Sequence, residues 1–245
     1  MERFAGLKDA LSLRRQASLI ALIVLTILSS FMSPYFLKVQ NLVNIVRQVS
    51  YTGIIGLGMT FVIISAGIDL SVGSVLAFTG ALVILAMNAL LPIVRSEALA
   101  LGLGVLVGVV VGACAGAFNG LMITRGRIAP FIVTLGTMAI FRSLTLYIGD
   151  AGEIQSHNAL YGAFGMGSVL GVPIPVIVFL GIALVLHLVL NSTRYGRYLC
   201  AVGSNQRVAL FSAIDVDRIR FYAYTLTGAL VGVSAVLLGS RFNAV

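Results

Sequence analysis

Hydrophobic residues gather in seven long runs, at roughly 17–37, 51–66, 72–91, 98–122, 128–148, 173–190 and 222–240. Most approach the ~20 residues that carry a helix across a bilayer, and 51–66 falls short of that length. The apolar character continues all round each run, which argues against amphipathic surface helices. The alternating segments of about ten residues that mark an outer-membrane barrel are absent. The pattern predicts an all-α fold, a polytopic transmembrane helix bundle forming one integral membrane domain over residues 1–245.

Asp69 is the only charged side chain between Tyr51 and Leu91. An unbroken helix over that stretch would reach roughly 60 Å, about twice a bilayer core, so the chain must break. The run Gly67-Ile68-Asp69-Leu70-Ser71-Val72-Gly73-Ser74 is the place for it, giving a short broken helix near Asp69. Two readings of the break are compatible. Asp69 or Ser71 would cap the third span and sit at the positive end of its dipole. Alternatively Asp69, Ser71 and Ser74 belong to a substrate path or gate, since a buried ionisable group in a membrane protein is costly without a function.

Gly104, Gly108, Gly112, Gly116 and Gly120 recur every four residues through the fourth run, and Gly228 and Gly232 repeat the spacing in the last. Glycine at that spacing lets a second helix approach closely, so the stripe predicts tight helix packing. Four residues turn 400°, and the stripe therefore winds slowly around its helix.

The chain is 59% hydrophobic and 10% charged, with a mean hydropathy of +1.07. Its net charge of +8 follows from the loops and implies no nucleic acid. With the N-terminus inside, Arg3, Lys8, Arg14, Arg15, Arg125, Arg127, Arg194, Arg197, Arg207, Arg218 and Arg220 face the cytoplasm, against Lys38, Arg47, Arg95 and Arg241 outside. The excess of inside cations supports a cytoplasmic N-terminus. Arg142 falls within a run, toward the outer side, whereas Asp69 lies near the inner one, so direct pairing of the two is not expected. The first run follows Arg14-Arg15 without a small-residue cleavage site and reads as a retained anchor.

Several chemistries are excluded. Lys8 and Lys38 are the only lysines, and neither stands in a phosphate-cradling loop. No zinc-protease or nucleophile-elbow motif occurs, and the two cysteines, Cys114 and Cys200, form no metal spacing. The chain is therefore expected to be neither an ATPase nor an enzyme of another kind, and to hold no metal and no cofactor. Polar residues within the runs (Asn88, Asn119, Thr134, Thr137, Arg142) are too scattered to define a site, and hydrogen bonds between helices explain them as well.

Two loops are long. The outer one, 149–172, is rich in Gly, Ser and Asn and reads as a cap, ordered or mobile. The inner one, 191–221, carries Thr193-Arg194-Tyr195-Gly196-Arg197 and then Gly203-Ser204-Asn205-Gln206-Arg207-Val208-Ala209-Leu210-Phe211-Ser212-Ala213-Ile214. Ser204 or Asn205 would cap a short helix projecting Val208, Phe211 and Ile214 to one side. Such a helix suits a groove on a soluble partner, or else lies on lipid headgroups.

The Gly67–Ser74 run and the inner-loop segment 193–214 together resemble the permease subunits of bacterial sugar ATP-binding cassette importers, especially the ribose type. Asn119-Gly120, residues 130–137, Arg142, Tyr224, Gly228 and Ser240-Arg241 carry the resemblance along nearly the whole chain. It implies a multi-pass permease of the bacterial inner membrane moving a monosaccharide. Its partners would be a second permease copy or homologue, cytosolic ATP-binding subunits that use the ATP, a periplasmic sugar-binding protein, and membrane lipid. Asp69, Ser71, Ser74 and Arg142 are then candidates for the substrate path, and Arg197, Gly203, Asn205, Phe211, Ser212 and Ile214 for coupling to the ATPase. The sequence departs from the family's G-G-N-x-x-A-A-x-x-S-G-I pattern at Ser204, Val208 and Ala213. Relatives also continue past the seventh run, so the chain is expected to be short at its C-terminus. Alternatives are a permease for branched-chain amino acids or another small solute, an ion-coupled carrier or channel, and a non-transporting remnant.

Overall fold

A computed structural model describes residues 16–245. Arg3, Lys8, Arg14 and Arg15, counted above for orientation, lie outside the described residues. The chain divides into two compact units, residues 1–46 and 47–245.

In the first unit, α1 (Ala17–Met32) stops where Ser33 turns extended before Pro34. Proline disfavours helical backbone in the residue ahead of it. The helix has 16 residues, about 24 Å, and ends short of the 17–37 expected for a span.

Next come α2 (Val39–Ile64), α3 (Val72–Val94), α4 (Glu97–Thr124) and α5 (Pro130–Ile148). A short α6 (Ala159–Met166) and a two-stranded hairpin, β1 (Ser168–Val169) and β2 (Val172–Pro173), lead into α7 (Ile174–Ser192). The chain then passes through α8 (Arg194–Ser204) and α9 (Gln206–Phe211) into α10 (Val216–Phe242). Among the described residues, α2, α3, α4, α5, α7 and α10 are long and apolar enough to cross a membrane. This is a multi-pass membrane protein.

α2 begins well before the apolar run that revealed it. Arg47, assigned to a loop on sequence, lies inside this helix, is buried, and donates from Nη2 to the Met166 carbonyl at 3.1 Å.

The core is the seam between α4 and α10, the most enclosed span. A side-chain carbon at Gly112 would collide with the carbonyl of Gly228, one at Gly116 with that of Tyr224, and one at Gly232 with that of Gly108. Only hydrogen at these positions lets the two backbones touch. The stripe winds: Gly104 faces Met87 of α3, and Gly120 meets Phe221 at the start of α10.

The 149–172 segment is ordered. Asn88 of α3 donates to the Gln155 carbonyl and accepts from the His157 amide, at 2.9 and 2.8 Å. Asn158 caps α6 and donates to the Glu97 carbonyl. Ile154 and Val245 exchange both backbone hydrogen bonds.

Candidate functional site

α2 ends in a Schellman turn. Gly67 N–H reaches the Val62 carbonyl, Ala66 N–H the Ile63 carbonyl, and Ala66 itself holds the left-handed conformation at φ 57°. Gly67 serves a different need: a side chain there would strike the Tyr224 hydroxyl. That hydroxyl donates to the Ile68 carbonyl at 2.9 Å, tying the break to α10.

Asp69 follows. Its Oδ1 accepts from both the Ser71 amide (2.9 Å) and the Ser71 hydroxyl (2.6 Å). Asn119 Nδ2 of α4 donates to the same Ser71 Oγ at 2.9 Å. A chain of hydrogen bonds thus runs from Asn119 through Ser71 to Asp69, and all three residues are buried. The capping expectation is corrected: Ser71 occupies the N-cap position, but its side chain accepts nothing from the first turn of α3. Its hydroxyl is already committed to Asp69 and Asn119, and the Asp69 oxygen that would cap is engaged by Ser71. Ser74 Oγ turns back to the Ser71 carbonyl at 2.8 Å.

Burial pushes the Asp69 carboxyl up from its usual range, and hydrogen bonds from Ser71 and Asn119 pull the other way. No described residue forms an ion pair with it; those present are Arg127–Asp217 and Arg218–Asp215. A small cavity beside it is lined by Asp69, Ser71, Val72, Val75, Gly116, Asn119, Gly228 and Val231.

Arg142 is elsewhere. It is exposed on α5, on a surface that also carries Gly136, Ala139 and Ser143. Thr134 and Thr137 of the same helix bond to carbonyls of their own preceding turn.

At one end of the second unit, α8 lies under α2. A side chain at Gly203 would meet the Ile64 carbonyl, and Arg220 donates to Ser65 O at 3.2 Å. Leu199 and Val202 of α8 enter the same core as Phe61, whose ring stacks on Tyr195. Asn205 Oδ1 caps α9 by accepting from the amides of Arg207 and Val208, at 3.0 and 3.1 Å. The helix closes in a second Schellman turn: Ile214 N–H to Ala209 O, Ala213 N–H to Leu210 O, with Ala213 at φ 57°. Ala209 is buried and Ile214 packs on the core, while Phe211 is 91% exposed beside exposed Val208 and Leu210. The expected projection of Ile214 alongside Val208 and Phe211 is therefore corrected. The closing turn carries Ile214 back inward.

Residues 41–245 match the protein family described as branched-chain amino acid transport system / permease component. The chain belongs to that permease family. Among relatives, the permease is 40% identical to the ribose import permease protein of Bacillus subtilis over 92% of this chain and 68% of the relative. It is 38% identical to the ribose import permease protein of Escherichia coli strain K12, over 95% and 71%. Identity to the D-allose transport system permease protein of the same strain is 38%, over 91% and 66%. No solved structure matches.

The permease therefore brings its sequence-marked residues together in two places. Asp69, Ser71 and Ser74 meet at the break, and Gly203, Asn205, Phe211, Ser212 and Ile214 frame α9, with exposed Arg197 on the adjoining α8. Arg142 joins neither. Asn119 is the residue the sequence reading left among scattered polar positions. Its signal was the register: it falls on the same helix face as Gly112 and Gly116, seven and three residues before it.

Proposed function

We propose that the chain is the membrane subunit of an ATP-binding cassette importer that carries a ribose-like monosaccharide across a bacterial inner membrane. The substrate class rests on the ribose and allose relatives. The coupling role rests on one observation: α9 is capped at both ends, anchored through Ala209, and presents Phe211 outward. A large aromatic held exposed on a rigid short helix is the chemistry of a knob for a groove on a soluble partner. That partner is the ATP-binding subunit, which supplies ATP hydrolysis.

Orientation follows from charge. The end of the second unit where α2, α4 and α7 finish carries Arg125, Arg127, Arg194, Arg197, Arg207, Arg218 and Arg220, and it is the cytoplasmic end. The N-terminus is cytoplasmic in the same scheme. Lipid cannot cover the Arg142 guanidinium cheaply, so the α5 face bearing it adjoins a hydrated path shared with a second permease copy. A periplasmic binding protein delivers sugar to the opposite end, where the 149–172 segment lies.

The test is uptake of labelled pentose in cells. Uptake that survives a proton uncoupler while ATP stays high, and disappears when the partner ATPase gene is deleted, supports this reading. Uptake abolished by the uncoupler at constant ATP would favour an ion-coupled carrier. Uptake of leucine but not pentose would move the substrate to branched-chain amino acids.

A further inference from the structure

The cavity beside Asp69 is a polar site of unusual composition. Asn119 is fully buried, and its Oδ1 accepts no hydrogen bond from any described residue, although its Nδ2 is engaged by Ser71. The neighbouring Asp69 carboxylate takes both Ser71 hydrogen bonds on Oδ1, which leaves Oδ2 outside that pairing. The polar lining thus offers one buried acceptor without a donor, the Asn119 amide oxygen, next to a carboxylate. Leaving a buried acceptor unmatched costs on the order of 1–3 kcal/mol.

We propose that this cavity binds one water molecule, which donates one O–H to Asn119 Oδ1 and the other to the Asp69 carboxylate. The space is about 10 Å³, near the least that holds a single water. A water brings one donor to the unmatched amide oxygen and a second to the carboxylate beside it. A hard cation gathers six or more oxygens, whereas beyond Asp69, Ser71 and Asn119 this lining is Val72, Val75, Val231 and two glycines. A sugar is far too large for a space of this size. The inference concerns this conformation and does not depend on which solute is carried.

The position gives the water a mechanical role. Gly116 and Gly228, which line the cavity, belong to the close contact between α4 and α10. The water ties the start of α3 to α4 next to that seam. Movement of α3 against α4 must break its two hydrogen bonds or take it along.

The test is an experimental density map of the complete chain in lipid nanodiscs, at a resolution that shows ordered water. Melting temperatures are read alongside in sodium, potassium and choline chloride at equal ionic strength. The expected result is one density peak about 2.6–3.2 Å from both Asn119 Oδ1 and an Asp69 oxygen, with the same melting temperature in all three salts. A dry cavity overturns the proposal. So does a saturable rise in melting temperature with sodium or potassium over choline, which would make the occupant a cation.

Discussion

At the scale of single residues, Asp69 and Ala213 carry the clearest consequences. The folded-state pKa of Asp69 lies above its unfolded value, so its contribution to stability is full below about pH 4 and lost as pH rises through the folded value. Asp69→Asn keeps an Oδ1 that accepts both Ser71 bonds but removes the titration. The variant should insert normally, match or exceed the parent's melting temperature at pH 7, and lose the part of the pH dependence due to this group. Uptake should nonetheless fall at least tenfold if the carboxylate serves the transport cycle. Wild-type uptake by Asp69→Asn would reduce the residue to a structural turn. Ala213 stands at φ 57°, where an L side chain costs about 1–2 kcal/mol relative to glycine. Ala213→Gly should stabilise the chain by about 1 kcal/mol, read as a higher thermal or denaturant midpoint, and restore the residue that the family pattern carries there. An unchanged or lower midpoint would contradict the assigned backbone.

At the scale of elements, the seam and α9 make separate predictions. Gly112→Leu drives a side chain into the Gly228 carbonyl and should cost upwards of about 1–3 kcal/mol, whereas Gly102→Leu on the open face of α4 should cost little. Comparing their melting temperatures in one detergent decides it. For α9, Asn205→Asp preserves the side-chain cap, because aspartate accepts the same two amide bonds. Phe211→Arg removes only an exposed group. Both should leave membrane insertion intact, and Phe211→Arg should weaken capture of the ATP-binding subunit about tenfold or more. Undiminished capture would remove the knob from the coupling account.

The elements also show what sequence could reveal. Continuous apolar runs marked the long helices, because lipid demands that composition along a whole span. The start of α2 escaped because Gln40, Asn41, Asn44, Arg47 and Gln48 interrupt the hydropathy, and the Arg47 partner is the distant Met166 carbonyl. The break at Asp69 was legible from length alone. Its internal bonding was not, since Asn119 lies 48 positions beyond its partner Ser71, on another helix. Likewise Ile214 looked like a neighbour of Phe211 until the left-handed turn at Ala213 sent it inward.

At the scale of the molecule, the account joins a glycine-sealed bundle, a polar break at its basic end and an aromatic knob on α9. The proposed driving force is a separate ATP-binding subunit that docks on α9. The most direct measurement is uptake of labelled ribose into proteoliposomes that contain this chain, its ATP-binding subunit and the sugar-binding protein, with ATP or a non-hydrolysable analogue sealed inside. The account predicts accumulation with internal ATP, none with the analogue, and none when the ATP-binding subunit is omitted. Accumulation driven by an imposed proton or sodium gradient, without ATP or that subunit, would contradict it.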